Sequence, residues 1–176
     1  MKIAIIGYSG SGKSTLAARL GRALGIEVLH LDMLHFLPGW AERPTEEEQQ
    51  MLTDFLDIHE SWIIDGNYSK NNHSRRMEEA DRIIFLCFDR FSCLCRALKR
   101  YLGNRGRSRA SMAEGCPEKF DREFITWILR DGRRAPVRER YAKVCEAYSE
   151  KVTVIRSQRE LDRFVKGMEV CPCSST

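Results

Sequence analysis

Apolar residues along this chain follow two rhythms that take turns. Five short runs are almost wholly apolar: "KIAII" at 2–6, "EVLHL" at 27–31, "SWII" at 61–64, "RIIFLCF" at 82–88 and "KVTVI" at 151–155. Their β-branched and aromatic content predicts strands. The lack of regular polar alternation predicts burial on both faces, as in a parallel sheet covered by helices. The last four runs each give way to an ionisable residue: Asp32, Asp65, Asp89 and Arg156.

Between the runs the spacing changes to three and four. Leu16, Leu20 and Leu24 mark one helix face, and Leu52, Leu56 and His59 mark another after "PTEEE". There Thr45 can cap the helix, and Glu48 stands at capping-box distance. Phe91, Leu94, Cys95, Leu98, Tyr101 and Leu102 predict an amphipathic helix with Arg96 and Arg100 opposite its apolar stripe. Phe120, Phe124, Trp127 and Ile128 predict a further helix. Val137, Tyr141, Val144 and Tyr148 predict the next, with Pro136 in its first turn. Leu161, Phe164 and Val165 predict a short last one. Strand and helix alternate throughout, which predicts an α/β, doubly wound fold. No repeat or linker interrupts residues 1–176, so one domain is expected.

Composition narrows the class. A length of 176 residues suits a single full-sized core, and 43% hydrophobic with 31% charged residues is an ordinary globular mix. No apolar run reaches the length of a membrane span, and the N-terminus has no secretory pattern, so a cytoplasmic protein is expected. Seven cysteines, an odd number, argue against a closed disulfide framework. Cys87, Cys95 and Cys145 read as small buried hydrophobes. Cys171 and Cys173 could ligate a metal, but no second pair supports them, and 167–176 reads as a frayed tail.

Charge adds a second feature. The net charge is +4, yet the stretch from Arg90 to Ala113 holds Arg90, Arg96, Lys99, Arg100, Arg105, Arg107 and Arg109 without one acid. Such a segment suits a polyanion, either nucleic acid or a triphosphate.

The candidate chemistry begins at "GYSGSGKST". Gly7, Gly12, Lys13 and Ser14 complete the pattern G-x-x-x-x-G-K-[ST], with Gly10 inside it. Glycines let backbone N–H groups approach phosphate oxygens with no Cβ in the way. The loop opens a helix whose unpaired N–H groups and dipole favour anions. The segment Gly7–Thr15, including Ser9, Gly10, Ser11 and Gly12, is therefore the expected nucleotide cradle. Lys13 supplies charge to the terminal phosphates, Ser14 a hydroxyl for Mg²⁺, and Thr15 a hydrogen bond to phosphate.

Ligands of such sheets bind at the carboxyl ends of the strands. Asp65 in "WIIDGNY" has the character of a Walker B acid for Mg²⁺. Asp32 in "LHLDMLH" can bind an acceptor hydroxyl or act as its base, and His35 can line the same pocket. Asp89 reads as a turn residue, and Trp40 and Trp62 as packing. Arg96, Arg100 and Arg105, with the flexible "GNRGRSR", suit a lid that neutralises a transferred phosphoryl group and excludes water. Arg133 in "RDGRR", between Arg130 and Arg134, can reach the nucleotide from the next helical boundary.

"GYSGSGKST", "LHLDMLHFLPGW", "WIIDGNYS", "RIIFLCFDR", "RALKRYLGNRGRSR" and "MAEGCPEKF" together resemble the bacterial topology modulation (FlaR-type) proteins, which are related to adenylate kinase. The resemblance extends to about Lys166. It implies a three-layer P-loop NTPase fold of nucleoside-monophosphate-kinase type, with a five-stranded parallel sheet. It also implies ATP with Mg²⁺, an acceptor cover near 36–60 and an arginine lid near 96–117. "DGNYSK" stands where adenylate kinases carry "DGFPR", so Asn67 and Tyr68 replace phenylalanine and proline. The arginine position of that motif falls on Lys70, or later on Arg75 and Arg76, which weighs against AMP as the acceptor. The lid is short and lacks a four-cysteine zinc pattern.

The residues and the resemblance lead to one expectation with two rivals. The first is an ATP/Mg²⁺ phosphotransferase acting on a small acceptor, a nucleotide or nucleoside. The second is a nucleic-acid-associated NTPase or DNA-binding regulator using Arg96–Arg109, although no helix-turn-helix, zinc finger, helicase set or topoisomerase tyrosine is present. The third is a nucleotide sensor without turnover, favoured if Asp32 and Asp65 lie far from the phosphates.

Overall fold

Lys2–Gly7 forms the first strand, β1, and every residue from Ile3 to Gly7 is buried. The structure, a computed structural model, describes residues 1–68 and 72–170, so Lys70, Cys171 and Cys173 lie outside the described residues. The other main strands are β2 (Val28–His30), β5 (Trp62–Asp65), β6 (Arg82–Leu86) and β7 (Val152–Ile155). They join β1 in one parallel sheet of order β2-β5-β1-β6-β7. The three inner strands are the densest apolar runs of the sequence, and Ile3, Ile5, Ile63, Ile64, Ile83 and Ile84 lose all contact with solvent. Each such side chain contributes roughly 1.5–3 kcal/mol by burial.

Among the described residues eight α-helices surround the sheet: α1 (Lys13–Leu24), α2 (Leu31–His35), α3 (Thr45–Ile58), α4 (His73–Glu79), α5 (Arg90–Gly103), α6 (Arg122–Leu129), α7 (Ala135–Ala147) and α8 (Gln158–Val170). Helix α1 packs on β1, β2 and β5 and against α8, while α5 packs against α6. A two-stranded hairpin, β3 (Phe36–Leu37) with β4 (Ala41–Glu42), follows α2 and packs against it. The hairpin, α2 and α4 are short or strongly charged, and hydrophobic periodicity carries no signal for them.

Four expectations are corrected. The second strand stops at His30, because Leu31 already opens α2 and carries Asp32 into its first turn. Thr45 does not cap α3: Pro44 is the N-cap residue, no side chain caps it, and Glu48 turns inward to 2% exposure. Much of the stripe read on α5 faces outward, with Phe91 68% and Leu102 64% exposed, while Leu94 packs against the core and Tyr101 stacks on Phe120. Its buried face is made of the small residues Cys93 and Ala97, and the half-buried Arg96 and Arg100 lie beside them. Cys95 is accordingly exposed, unlike the buried Cys93. Asp89 caps α5, accepting from the backbone N–H groups of Phe91 and Ser92 at 3.0 Å each, which agrees with a turn residue.

Two loop glycines are fixed by close approach. Gly7 has φ 145°, and a Cβ there would sit 2.4 Å from the Leu86 carbonyl oxygen of the adjacent strand. Gly10 has φ 77°, and its Cβ would meet the Cys93 carbonyl oxygen at 2.5 Å. The loop after β1 is thereby pressed against both β6 and α5.

Candidate active site

The loop from Gly7 to Ser14 is braced from several elements. The Gly7 N–H donates to Asn67 Oδ1 at 3.0 Å, and Asn67 Nδ2 donates back to the Gly7 carbonyl. The same carbonyl accepts from Lys13 Nζ at 3.0 Å and from the Tyr141 hydroxyl, carried in by α7, at 3.1 Å. Lys13 Nζ also donates to the Tyr8 carbonyl at 3.2 Å. The Arg133 guanidinium lies 3.9 Å over the Tyr8 ring and is anchored on the carbonyls of Phe88 and Ile128. Ser9 Oγ accepts from Trp127 Nε1 at 3.1 Å. Ser11 is fully buried, and its hydroxyl has no hydrogen-bond partner among the described residues.

Next to the loop, β5 delivers Asp65. Ser14 Oγ donates to Asp65 Oδ2 at 2.8 Å, and His30 Nδ1 contacts Asp65 Oδ1 from the neighbouring strand. This follows from register, because His30 pairs with Asp65 across the sheet and Ile5 pairs with Asp65 on its other side. Ser14 and Asp65 are a hard oxygen pair of the kind that suits Mg²⁺. Among the described residues no group of three or more His, Cys, Asp or Glu side chains could hold a metal alone. That donor set fits an ion shared with a bound phosphate, the usual arrangement for Mg²⁺, and not a closed protein cage.

Beyond β2 lies a second polar group. The Tyr68 hydroxyl donates to Asp32 Oδ1 at 2.8 Å. The Tyr68 ring lies 4.5 Å from that of His35, whose Nδ1 is 3.1 Å from Glu48 Oε2. Glu42 approaches the other nitrogen of His35 at 3.8 Å. Burial, and then the Asp32 carboxylate, push the Tyr68 phenol far above its ordinary range, so it stays a donor. Arg76 on α4 is buried, donates to the Tyr68 carbonyl at 2.7 Å, and is pushed down to about 10 by desolvation.

Arginines close the remaining side. Arg96 donates to the Ser11 carbonyl at 3.2 Å and to Gln158 Oε1, and lies 4.1 Å over the Phe88 ring. Arg100 Nε donates to Glu118 Oε2 at 3.0 Å, and Arg109 pairs with the other oxygen of Glu118. Burial first, then Arg109, lowers the Arg100 pKa, while Glu118 and Asp32 oppose the fall. Lys13 is lowered by burial, with Asp32 and Asp65 acting against it. Lys13, Arg100, Asp32 and Asp65 therefore share one electrostatic field. The segment carrying Glu118 docks on the β3–β4 hairpin: Gly39 N–H donates to the Gly115 carbonyl at 3.1 Å, and Cys116 Sγ contacts the Leu37 carbonyl at 3.2 Å.

The fold thus draws together Gly7, Ser9, Gly10, Ser11, Gly12, Lys13, Ser14, Asp32, Asp65, Arg96, Arg100 and Arg133 at one rim. Thr15 is exposed at the start of α1, and Arg105 is exposed on the segment after α5. No hydrogen bond or ion pair ties Arg105 to this rim among the described residues. The basic run is split: Arg96, Arg100 and Arg109 turn inward, while Arg90, Lys99, Arg105 and Arg107 face solvent. Sequence reasoning missed His30, Asn67, Tyr68, Glu118, Trp127 and Tyr141 as site residues. Asn67 and Tyr68 had a local signal, because they follow Asp65 directly. Tyr141 and Trp127 had none, because their spacing matches core residues of a helix.

Residues 3–114 match a family described as AAA domain. A protein of Pyrococcus abyssi (strain GE5 / Orsay), provisionally named adenylate kinase, is 27% identical over 129 residues, 73% of this chain and 67% of that protein. Among solved structures, shikimate kinase from Acinetobacter baumannii, in complex with shikimate, superposes with TM-score 0.58 at 16% identity, covering 99% of this chain and 95% of that one. Shikimate kinase from Bacteroides thetaiotaomicron gives 0.52 at 18% identity, with 97% and 96% covered. Deoxyadenosine kinase from M. mycoides, bound to dCMP and dCDP, gives 0.51 at 16% identity, with 97% and 100% covered. These structures share the P-loop kinase fold, a five-stranded parallel sheet flanked by helices. Among the described residues no helix is long and apolar enough to cross a membrane.

Proposed function

The chain belongs to the AAA-domain family, and from that premise we propose that it is an ATP- and Mg²⁺-dependent phosphotransferase acting on a small acceptor, a nucleotide or nucleoside. The observation that carries this reading is the placing of two acids: Asp65 accepts from Ser14 beside the phosphate loop at 2.8 Å, and Asp32 accepts from the Tyr68 hydroxyl at 2.8 Å. Asp65 serves the phosphate side through Ser14, and Asp32, in α2 after the neighbouring strand β2, accepts from Tyr68. A binding protein without turnover has no need of the second acid. The distant relative provisionally named adenylate kinase supports the same class. "DMLHFLPGW", "DGNYS" and "AEGCPEKF" support a place among the topology modulation proteins within it.

In this reading the Gly7–Thr15 loop cradles the triphosphate, with Lys13 neutralising its terminal oxygens. Ser14 and Asp65 would hold Mg²⁺, which when bound would neutralise charge on the triphosphate. Arg96 and Arg133 border the loop on the α5 and α6 sides, and the flat Arg96 guanidinium suits the donor nucleotide. Arg100, and Arg105 from the mobile-type "GNRGRSR" sequence, supply charge to the phosphoryl group in transit. Asp32 orients the acceptor hydroxyl or takes its proton.

A coupled ADP-release assay tests this with ATP, Mg²⁺ and a panel of nucleosides, nucleoside monophosphates and small metabolites. We expect acceptor-dependent ADP release that Lys13→Ala or Asp65→Asn abolishes. ADP release that needs no small acceptor and is stimulated by duplex DNA would overturn the reading.

A further inference from the structure

Resting on that reading, we propose that Trp127 is a positioning residue for the terminal phosphate. Its indole N–H orients the Ser9 hydroxyl, and through that hydroxyl the loop holds a nucleoside triphosphate in preference to the diphosphate.

Ser9 stands at the outer end of the cradle. In a loop of this pattern the lysine reaches the outer phosphates. Here the Lys13 ammonium rests on the carbonyls of Gly7 and Tyr8, at 3.0 and 3.2 Å. The Tyr8 carbonyl belongs to the peptide unit that leads into Ser9, so the lysine charge and the Ser9 side chain share one end of the loop. Ser9 is half-buried there. Ser11 is fully buried, and Ser14 donates to Asp65 at 2.8 Å.

The polarity of the Trp127–Ser9 contact is set by chemistry. Trp127 Nε1 lies 3.1 Å from Ser9 Oγ. An indole N–H only donates, so the serine oxygen accepts and its own proton is left for another acceptor. In a phosphate cradle that acceptor is a phosphate oxygen, and a hydrogen bond to an ionised oxygen is of the stronger kind.

Trp127 is itself held by a firm corner. Asp121 caps α6, accepting from the Phe124 N–H at 2.8 Å, and the turn Asp131–Arg133 follows the helix. A Cβ on Gly132 would lie 2.9 Å from the Trp127 carbonyl oxygen and 3.0 Å from Nε1, so the turn and the indole press together. The next residue, Arg133, is tied to the carbonyls of Ile128 and Phe88 and lies 3.9 Å over the Tyr8 ring. One corner therefore grips two successive loop residues, Tyr8 and Ser9. Trp127 stays 48% exposed, so burial of its ring does not account for a tryptophan here. A hydroxyl aimed in advance by a fixed donor needs no reorientation when the phosphate arrives.

Calorimetry on the full chain tests this, with ADP and with the non-hydrolysable β,γ-imido analogue of ATP, each with Mg²⁺. Ser9→Ala should weaken the analogue about tenfold or more, the scale of a lost hydrogen bond to a charged group, and ADP less than about twofold. Trp127→Phe keeps a ring and removes the N–H. It should weaken the analogue about three- to fivefold and leave ADP unchanged. In the Ser9→Ala background, Trp127→Phe should have no further effect, because the indole acts through that hydroxyl. Equal losses for both ligands, no loss, or an added loss in the Ser9→Ala background overturns this inference. Binding of both ligands by the parent chain then keeps the phosphotransferase reading. If the parent chain binds neither ligand, that reading falls as well.

Discussion

Asn67 holds Gly7 by both of its backbone polar groups, accepting from the N–H through Oδ1 and donating to the carbonyl through Nδ2. Only an amide can do this, because one side chain must accept and donate in the same plane. The pair fixes the first residue of the phosphate loop to the end of β5, which also carries Asp65. Asn67→Ala should cost about 1–2 kcal/mol, since Gly7 is buried and its N–H loses a partner. Affinity for ATP should fall several-fold. Asn67→Asp should be worse, because a carboxylate would face the Gly7 carbonyl. Urea denaturation and titration with a fluorescent ATP analogue measure both effects.

Glu118 sits between Arg100 and Arg109 with its side chain only 4% exposed. Glu118→Gln keeps the shape but leaves two guanidinium groups facing each other. A fully buried pair losing one charge costs about 3–5 kcal/mol. Arg100 keeps 28% exposure, so solvent screening reduces the expected loss to about 1–3 kcal/mol. The expected kinetic signature is a fall in kcat with little change in ATP affinity, because Lys13 and the loop are untouched. Equal losses in both would assign Glu118 a purely structural part.

Arg96→Ala should weaken donor binding roughly tenfold and leave acceptor KM nearly unchanged, because this side chain contacts Ser11 and Gln158 and not Asp32. Arg96→Lys should not restore binding, since an ammonium lacks the planar face that lies over Phe88. Competition binding with ATP and ADP measures it.

His73 opens α4 and is pushed down to about 4, first by burial and then by Arg76 and Arg140. A positive ring at a helix N-terminus is opposed by the dipole as well. The unfolded chain takes up this proton near pH 6.5, and the folded chain only near 4. Stability is therefore lost as pH falls between those values, and is unaffected by this group above them. For a half-buried ring the loss is about 1–2 kcal/mol after screening. His73→Gln should show a shallower fall of Tm from pH 6.5 to pH 4 than the parent, measured by calorimetry.

The phosphate loop was legible from seven or so residues, because close approach of backbone to phosphate admits so few sequences. The three inner strands were legible for a related reason: a strand buried on both faces must be apolar along its length, as β1, β5 and β6 are apart from Lys2, Asp65 and Arg82 at their ends, whereas the edge strands β2 and β7 are largely half-buried. The acids at the strand ends could be named, but their division of labour could not. Asp65 meets Ser14 because β5 lies beside β1, and Asp32 meets Tyr68 because α2 begins at Leu31. Strand order and helix starts come from pairing across the sheet, which no local pattern encodes.

Helix α5 shows the divide most clearly. Its sequence by itself determined that one face is apolar and another carries Arg96 and Arg100. Only the tertiary structure decided which face turns inward. Gly10 comes so near Cys93 that a Cβ would lie 2.5 Å from its carbonyl oxygen. That approach selects the face of small residues, Cys93 and Ala97, and swings the two arginines toward the site. Periodicity reports the existence of a stripe; the shape of the neighbouring surface decides what that stripe is pressed against.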